Sequence, residues 1–153
     1  GLEGADKLCK EAALAVGLDG KYRAWLSDDV TPAISRVTGS KLPYVRRDGK
    51  PVASNIGMII AAVDQKLQMA INVTETKVEL LMLTECSGQD AVWTGTKDTG
   101  VAMVGANCGN WTDEESMTNA FGGSLQATDA RWTQGCGLGC LGAARLYCFE
   151  LEG

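Results

Sequence analysis

Cys136-Gly137-Leu138-Gly139-Cys140, followed by Arg145-Leu146-Tyr147-Cys148-Phe149-Glu150, sets three cysteines within thirteen residues. The second part is an apolar, strand-like run. Working outward, Cys108 sits beside Asn107 and Trp111, Cys86 lies further upstream, and Cys9 falls in a helical stretch near the start, six cysteines in all. The chain has no histidine, which excludes imidazole-built zinc sites, and it lacks the short-spaced cysteine pairs that a thiolate site needs. Cys136 and Cys140 are not in the CxxC spacing of a redox pair. An even set of cysteines of this kind reads as the oxidised frame of an extracellular domain. Six cysteines allow fifteen connectivities, so counting alone does not pair them.

The 153 residues, 45% of them hydrophobic, suit one domain spanning residues 1–153, with enough chain to bury a core. Lys and Arg number 14 against 19 Asp and Glu, a net charge of -5. That balance offers no basic field for nucleic acid or a heparin-type polyanion. The longest apolar run, Ile56 to Val63, is too short to span a bilayer. The chain opens on Gly1-Leu2 rather than methionine, as expected if a leading segment has been removed.

Asp6 to Val16 carries Leu8, Cys9, Ala12, Ala13, Leu14 and Val16 at helical spacing, with Gly17 as the stop. Tyr22 to Ser27 has strand character. Thr31-Pro32 predicts an N-cap and first helical residue for a short helix ending at Gly39. Val45 to Val52 reads as a hairpin around Asp48-Gly49. Ile56 to Ile71 suits a short helix or a buried strand, with helix preferred. Lys77 to Leu83 and Ala91 to Gly95 read as strands, with Val101 to Val104 pairing nearby. Asn110 to Gln134 is polar and glycine-rich, which predicts a long surface loop with a short helix near Asp113 to Ala120.

Several of these stretches carry a resemblance. Gly4-Ala5-Asp6 with Cys9 and Ala12, Gly17 to Ser27, Val92-Trp93-Thr94-Gly95-Thr96, Cys108 with Trp111, and the step from Cys140 to Cys148 resemble the endostatin domain of collagens. Tyr44-Val45-Arg46-Arg47-Asp48-Gly49, Asn107-Cys108-Gly109-Asn110-Trp111-Thr112 and Leu146-Tyr147-Cys148-Phe149-Glu150 are closer still to bacterial endostatin-like domains, including the leptospiral endostatin-like surface proteins. The resemblance implies an α+β, C-type lectin-like fold: two helices flanking a mixed, mostly antiparallel sheet, with the termini in adjacent strands. It implies the disulfides Cys9 with Cys148 and Cys108 with Cys140, leaving Cys86 for Cys136. Mammalian endostatin binds zinc through histidines and heparin through an arginine surface. Neither activity carries over to a histidine-free acidic chain. The calcium-and-sugar tripeptides of sugar-binding C-type lectins are also absent, so the lectin name describes the fold alone.

For function, the resemblance implies an extracellular or cell-surface bacterial recognition or adhesion module. Its expected partner is a glycan or a host, prey or matrix protein, held by the loop face from Gly105 to Gly139. Candidate ligand-binding residues are Trp132, Phe121, Asn119 and Trp111, with Trp132 the exposed anchor and Trp111 a core position of the endostatin pattern. Asp113, Glu114 and Glu115 are candidate calcium ligands, against the plainer reading of a Thr112 N-cap with acids in a helical first turn. No other cofactor is expected. Asn72-Val73-Thr74 and Asn110-Trp111-Thr112 have the form of glycosylation acceptors. No catalytic set emerges, because there is no histidine base, nucleophile elbow or phosphate loop, so the chain is not expected to be an enzyme. The alternative is a capping or trimerising head of a surface fibre, with the apolar Ile56 to Ile71 segment at a subunit interface.

Overall fold

Ala5, Cys9 and Ala13 recur every four positions and form the buried stripe of one helix. In the structure, a computed structural model that describes residues 1–37, 41–60, 66–81, 84–115 and 117–151, this helix, α1, runs from Leu2 to Ala15. It therefore starts earlier than the sequence suggests. Gly17 adopts φ 77° and ends it, with Gly17 N–H donating to Leu14 O and Leu18 N–H to Ala13 O, the paired bonds of a Schellman cap.

Strand β1, Lys21–Ala24, continues as extended chain, where Ser27 N–H donates to Thr94 O at 2.9 Å. Helix α2 is a single turn, Ala33–Arg36. Pro32 occupies its N-cap position and Thr31 does not cap it. The buried Ser27 Oγ accepts the Ala33 N–H instead, at 2.8 Å. Gly39 lies outside the described residues. The predicted hairpin is present as β2, Tyr44–Val45, and β3, Pro51–Ala53. Gly49 supplies φ 82° at its tip, a value that costs glycine nothing.

Helix α3, Ile56–Ile59, is capped by Asn55, and residues 66–71 are not helical; residues 61–65 of the expected helix lie outside the described residues. Ile59 is fully buried, and Ile56, Met58, Ile60 and Ile71 pack against the same core. Most of the apolar side chains described in this segment thus pack on the protein's own core. Lys77 to Leu83 is not a strand where described: only a Val73–Glu79 bridge forms, and Met82 and Leu83 lie outside the described residues.

Strands β4, Ala91–Trp93, β5, Asn119–Ser124, and β6, Cys136–Gly139, form an antiparallel sheet in the order β4-β5-β6. Ala102 bridges Thr96 beside it. Strand β7, Cys148–Leu151, pairs antiparallel with β1, so the two ends of the chain lie side by side. Among the described residues, three small antiparallel sheets stand in place of one mixed sheet, with parallel pairing confined to a Val92–Arg145 bridge. The fold is α+β, closed by Cys9–Cys148, Cys86–Cys136 and Cys108–Cys140. Among the described residues no helix is long and apolar enough to cross a membrane.

The largest departure from the sequence reading is β5. Its Asn-Ala-Phe-Gly-Gly-Ser sequence has poor strand propensity, yet it is the central strand of its sheet. Its glycines explain the choice. A Cβ on Gly122 would lie 2.3 Å from Val92 O, and one on Gly123 would lie 1.7 Å from Trp132 O. Only a glycine pair lets the neighbouring backbones approach this closely. We expect Gly123→Ala to lower unfolding stability by about 1–3 kcal/mol in chemical denaturation, the usual cost of overpacking; an unchanged midpoint would show that this contact is soft.

Candidate functional site

The face from Gly105 to Gly139 is built around a turn of unusual hand. Cys108, Gly109, Asn110 and Trp111 all have φ between 52° and 63°, a single left-handed helical turn that costs roughly 1–2 kcal/mol per non-glycine residue. Its surroundings hold it from every side. Cys108 is bonded to Cys140, Asn107 Oδ1 accepts the Asn110 N–H at 2.9 Å, and Trp111 Nε1 donates to Ser27 O at 2.8 Å. Asp29 Oδ1 accepts from Gly105 N–H and Asn107 Nδ2, and these bonds, Gly105's foremost, hold its carboxyl below the usual range.

This turn disperses the residues expected to form a site. Thr112 ends the turn instead of capping a helix. No helix follows at residues 113–115, and Asp113 turns back to accept the Glu115 N–H at 2.8 Å. Among the described residues no group of three or more histidine, cysteine, aspartate or glutamate side chains is placed to hold a metal, so the calcium expectation finds no geometry. Trp132 is 1% exposed and cannot act as a surface anchor. It stacks between Trp25, at 5.2 Å, and Tyr147, at 5.5 Å, while the Tyr147 hydroxyl donates to its carbonyl at 3.0 Å. Trp111 is half-buried against Trp93. Of the four candidates, Asn119 is exposed and Phe121 half-exposed. Asn72 is buried, accepting from Arg46 and donating to Gln126, whereas Asn110 is exposed.

A site that the sequence reading missed lies along β7. A groove of about 980 Å³ runs between α1 and the β2 hairpin, with β7 along its floor. Leu8 stands on one rim at 59% exposure, with Leu42 and Val45 on the other at 64% and 60%. Ala12, Leu18 and Leu146 add half-buried apolar surface between them. Concave, mostly apolar walls with few polar groups are the usual form of a binding cleft. The sequence signal was available: Leu8 and Val45 are apolar residues on the outward side of their elements.

The family model described as Collagenase NC10 and Endostatin matches residues 1–151. The chain belongs to the endostatin family. Membership and three closed disulfides make it an extracellular module.

In this endostatin-family chain, one buried arginine fixes the hairpin wall of the groove. Arg46 is nearly inaccessible and donates through Nε and Nη2 to Asp48, at 3.0 and 2.6 Å. It also reaches Ala70 O at 3.1 Å, Asn72 Oδ1 at 2.5 Å and Glu79 at 3.4 Å. The forked pairing suits a guanidinium, and it ties the hairpin to the segment beyond Ile71 that continues the wall. Hydrogen bonds from Arg46 pull the Asp48 carboxyl down to about 2. Its folded value is below the ordinary one of about 3.9, so the stabilisation is present above pH 4 and is lost as pH falls toward 2. We expect acid titration of unfolding stability to show this loss in the parent chain and a flatter limb in Asp48→Asn, which starts less stable at neutral pH. Identical acid limbs would show that the pair contributes nothing.

Proposed function

We propose that this chain is a non-enzymatic extracellular recognition module that binds a partner protein through the groove between α1 and the β2 hairpin. The observation that carries the reading is the contrast between two surfaces. On the groove rims three aliphatic side chains, each more than half exposed, cluster around one concavity, the gathered form of apolar surface that marks protein contacts. On the loop face, the indole best suited to stacking on a sugar ring is buried and another is half-buried. Glycan recognition through aromatic stacking is thus the less favoured reading. The resemblance of Tyr44 to Gly49 and of Leu146 to Glu150 to bacterial endostatin-like surface proteins supports display on a cell surface, with adhesion to a host or matrix protein as the role.

The test is to probe the oxidised domain against a glycan array and against a panel of immobilised matrix and plasma proteins, with three variants in parallel. We expect protein hits that Val45→Asp and Leu8→Asp each weaken by about tenfold or more, equivalent to at least about 1.4 kcal/mol, and that Phe121→Ala leaves unchanged. Glycan hits abolished by Phe121→Ala but indifferent to Val45→Asp would return the function to the loop face.

A further inference from the structure

We propose that the groove receives an extended segment of the partner protein, which adds as a third strand to the open edge of β7; this rests on the groove being the binding surface. The pairing of β7 with β1 decides which way its backbone points. Lys21, Tyr22, Arg23 and Ala24 lie opposite Leu151, Glu150, Phe149 and Cys148. Just beyond, Trp25 N–H donates to Tyr147 O at 2.9 Å. Hydrogen-bonded pairs alternate along an antiparallel ladder, so Tyr147, Phe149 and Leu151 turn their N–H and C=O groups toward β1. Cys148 and Glu150 turn theirs away from it.

The two edges of this sheet are treated differently. On the outer edge of β1, Asp6 Oδ1 accepts the Ala24 N–H at 3.0 Å, and Arg36 Nη1 donates to Ala24 O at 2.9 Å and Leu26 O at 2.8 Å. Charged side chains therefore satisfy and block the Ala24 end of that edge, while no described backbone group bonds the outward groups of Tyr22, opposite Glu150. On the outer edge of β7, no strand pairs with it among the described residues. No described backbone group bonds the outward amides and carbonyls of Cys148 and Glu150 either. Those two residues line the groove.

Backbone donors and acceptors left to solvent at strand spacing point to the occupant, because an extended polypeptide returns both in that spacing. The walls specify its side chains. Cys148 is bonded to Cys9 on α1, whereas Phe149 packs on Tyr44 of β2, so the two walls stand on the two faces of the sheet. An added strand would direct alternate side chains to Leu8, Ala12 and Leu18 on one side and to Leu42 and Val45 on the other. The ligand class is a segment of about four to six residues with aliphatic side chains on both faces, matching the length of β7 at roughly 3.3 Å per residue. A second copy of this chain is the poorer occupant, since its own β7 is flanked by the same walls.

Residue-resolved amide exchange tests this, first on the free oxidised chain and then with peptides selected on it from a phage-displayed random library. In the free chain, Phe149 and Leu151 should be protected and Cys148 and Glu150 should exchange fast. Selected peptides should carry aliphatic residues, slow the Cys148 and Glu150 amides by about tenfold or more, and lose binding when alternate peptide nitrogens are methylated. Glu150→Pro removes one outward N–H without touching the bonds to β1 and should abolish binding with the fold intact. Where that variant fails to fold, the methylated peptides carry the same test. Protection of Cys148 and Glu150 in the free monomer, or protection that grows with concentration alongside a dimer mass, overturns the proposal. Peptides that bind, are lost with Val45→Asp, and leave both amides fast overturn strand addition while sparing the groove. No enrichment, or enrichment indifferent to Val45→Asp, removes the groove reading as well.

Discussion

Antiparallel pairing of β1 with β7, locked by Cys9–Cys148, joins residues 139 positions apart, and the other contacts are arranged around that closure. In the chain-entropy account, a loop of this length removes about 5 kcal/mol of denatured-state freedom. The geometric consequence matters as much. Cys148 brings β7 against α1, and Asp6 on α1 then reaches the Ala24 N–H and Arg36. One carboxylate thus holds the long helix, the first strand and the one-turn helix together. Arg36 is buried and its carboxylate partner is partly exposed, so the pair keeps one foot in water and avoids much of the desolvation that weakens fully buried ion pairs.

The three described sheets share one apolar cluster, and a polar network lies beside it where the chain leaves β1 and β4. Ser27, Thr94, Thr96 and Thr133 are all fully buried. Ser27 Oγ bonds Thr96 Oγ1 at 2.7 Å, Thr94 Oγ1 donates to Thr133 O at 2.6 Å, and Trp25 Nε1 donates to Thr133 Oγ1 at 2.8 Å. Hydroxyls can donate and accept at once, which suits a place where irregular backbone from three directions must be satisfied without water. Burial raises the Tyr147 phenol far above its ordinary value, so it remains a neutral donor to Trp132 O. The aromatic cluster of Trp25, Trp132, Tyr147 and Phe149 fills the space beside this network.

Legibility in the sequence tracked how local the cause was. Gly17 and Asp48-Gly49 announce a helix end and a hairpin because their backbone requirement is their own. The disulfide pairs were legible through resemblance alone, since pairing is a long-range fact. The β5 strand was not, because Gly122 and Gly123 are required by Val92 and Trp132, residues that nothing nearby in the chain identifies as neighbours. Trp132 was misplaced for the same reason: a polar, glycine-rich surrounding suggests exposure, whereas its burial comes from Trp25, far upstream. The left-handed turn was hidden because cysteine and tryptophan, unlike glycine and asparagine, do not choose that hand unaided. Asn107, Asp29 and the Cys108–Cys140 bond impose it from outside.

That distinction also bears on where recognition is placed. The loop face uses both its indoles to hold itself together: Trp111 bonds the Ser27 carbonyl and Trp132 fills the core, so mutating either disturbs the frame before it disturbs a partner. The groove is built the other way. Phe149 beneath its floor and the Arg46 brace are buried, while Leu8, Leu42 and Val45 project into solvent. Exposed aliphatic groups on a braced wall lose little conformational freedom when covered, which favours binding through preorganisation. A rigid frame with one sheet edge closed by charge at Ala24, and the other unpaired among the described residues and set between two apolar walls, is suited to discriminate by shape and backbone pairing.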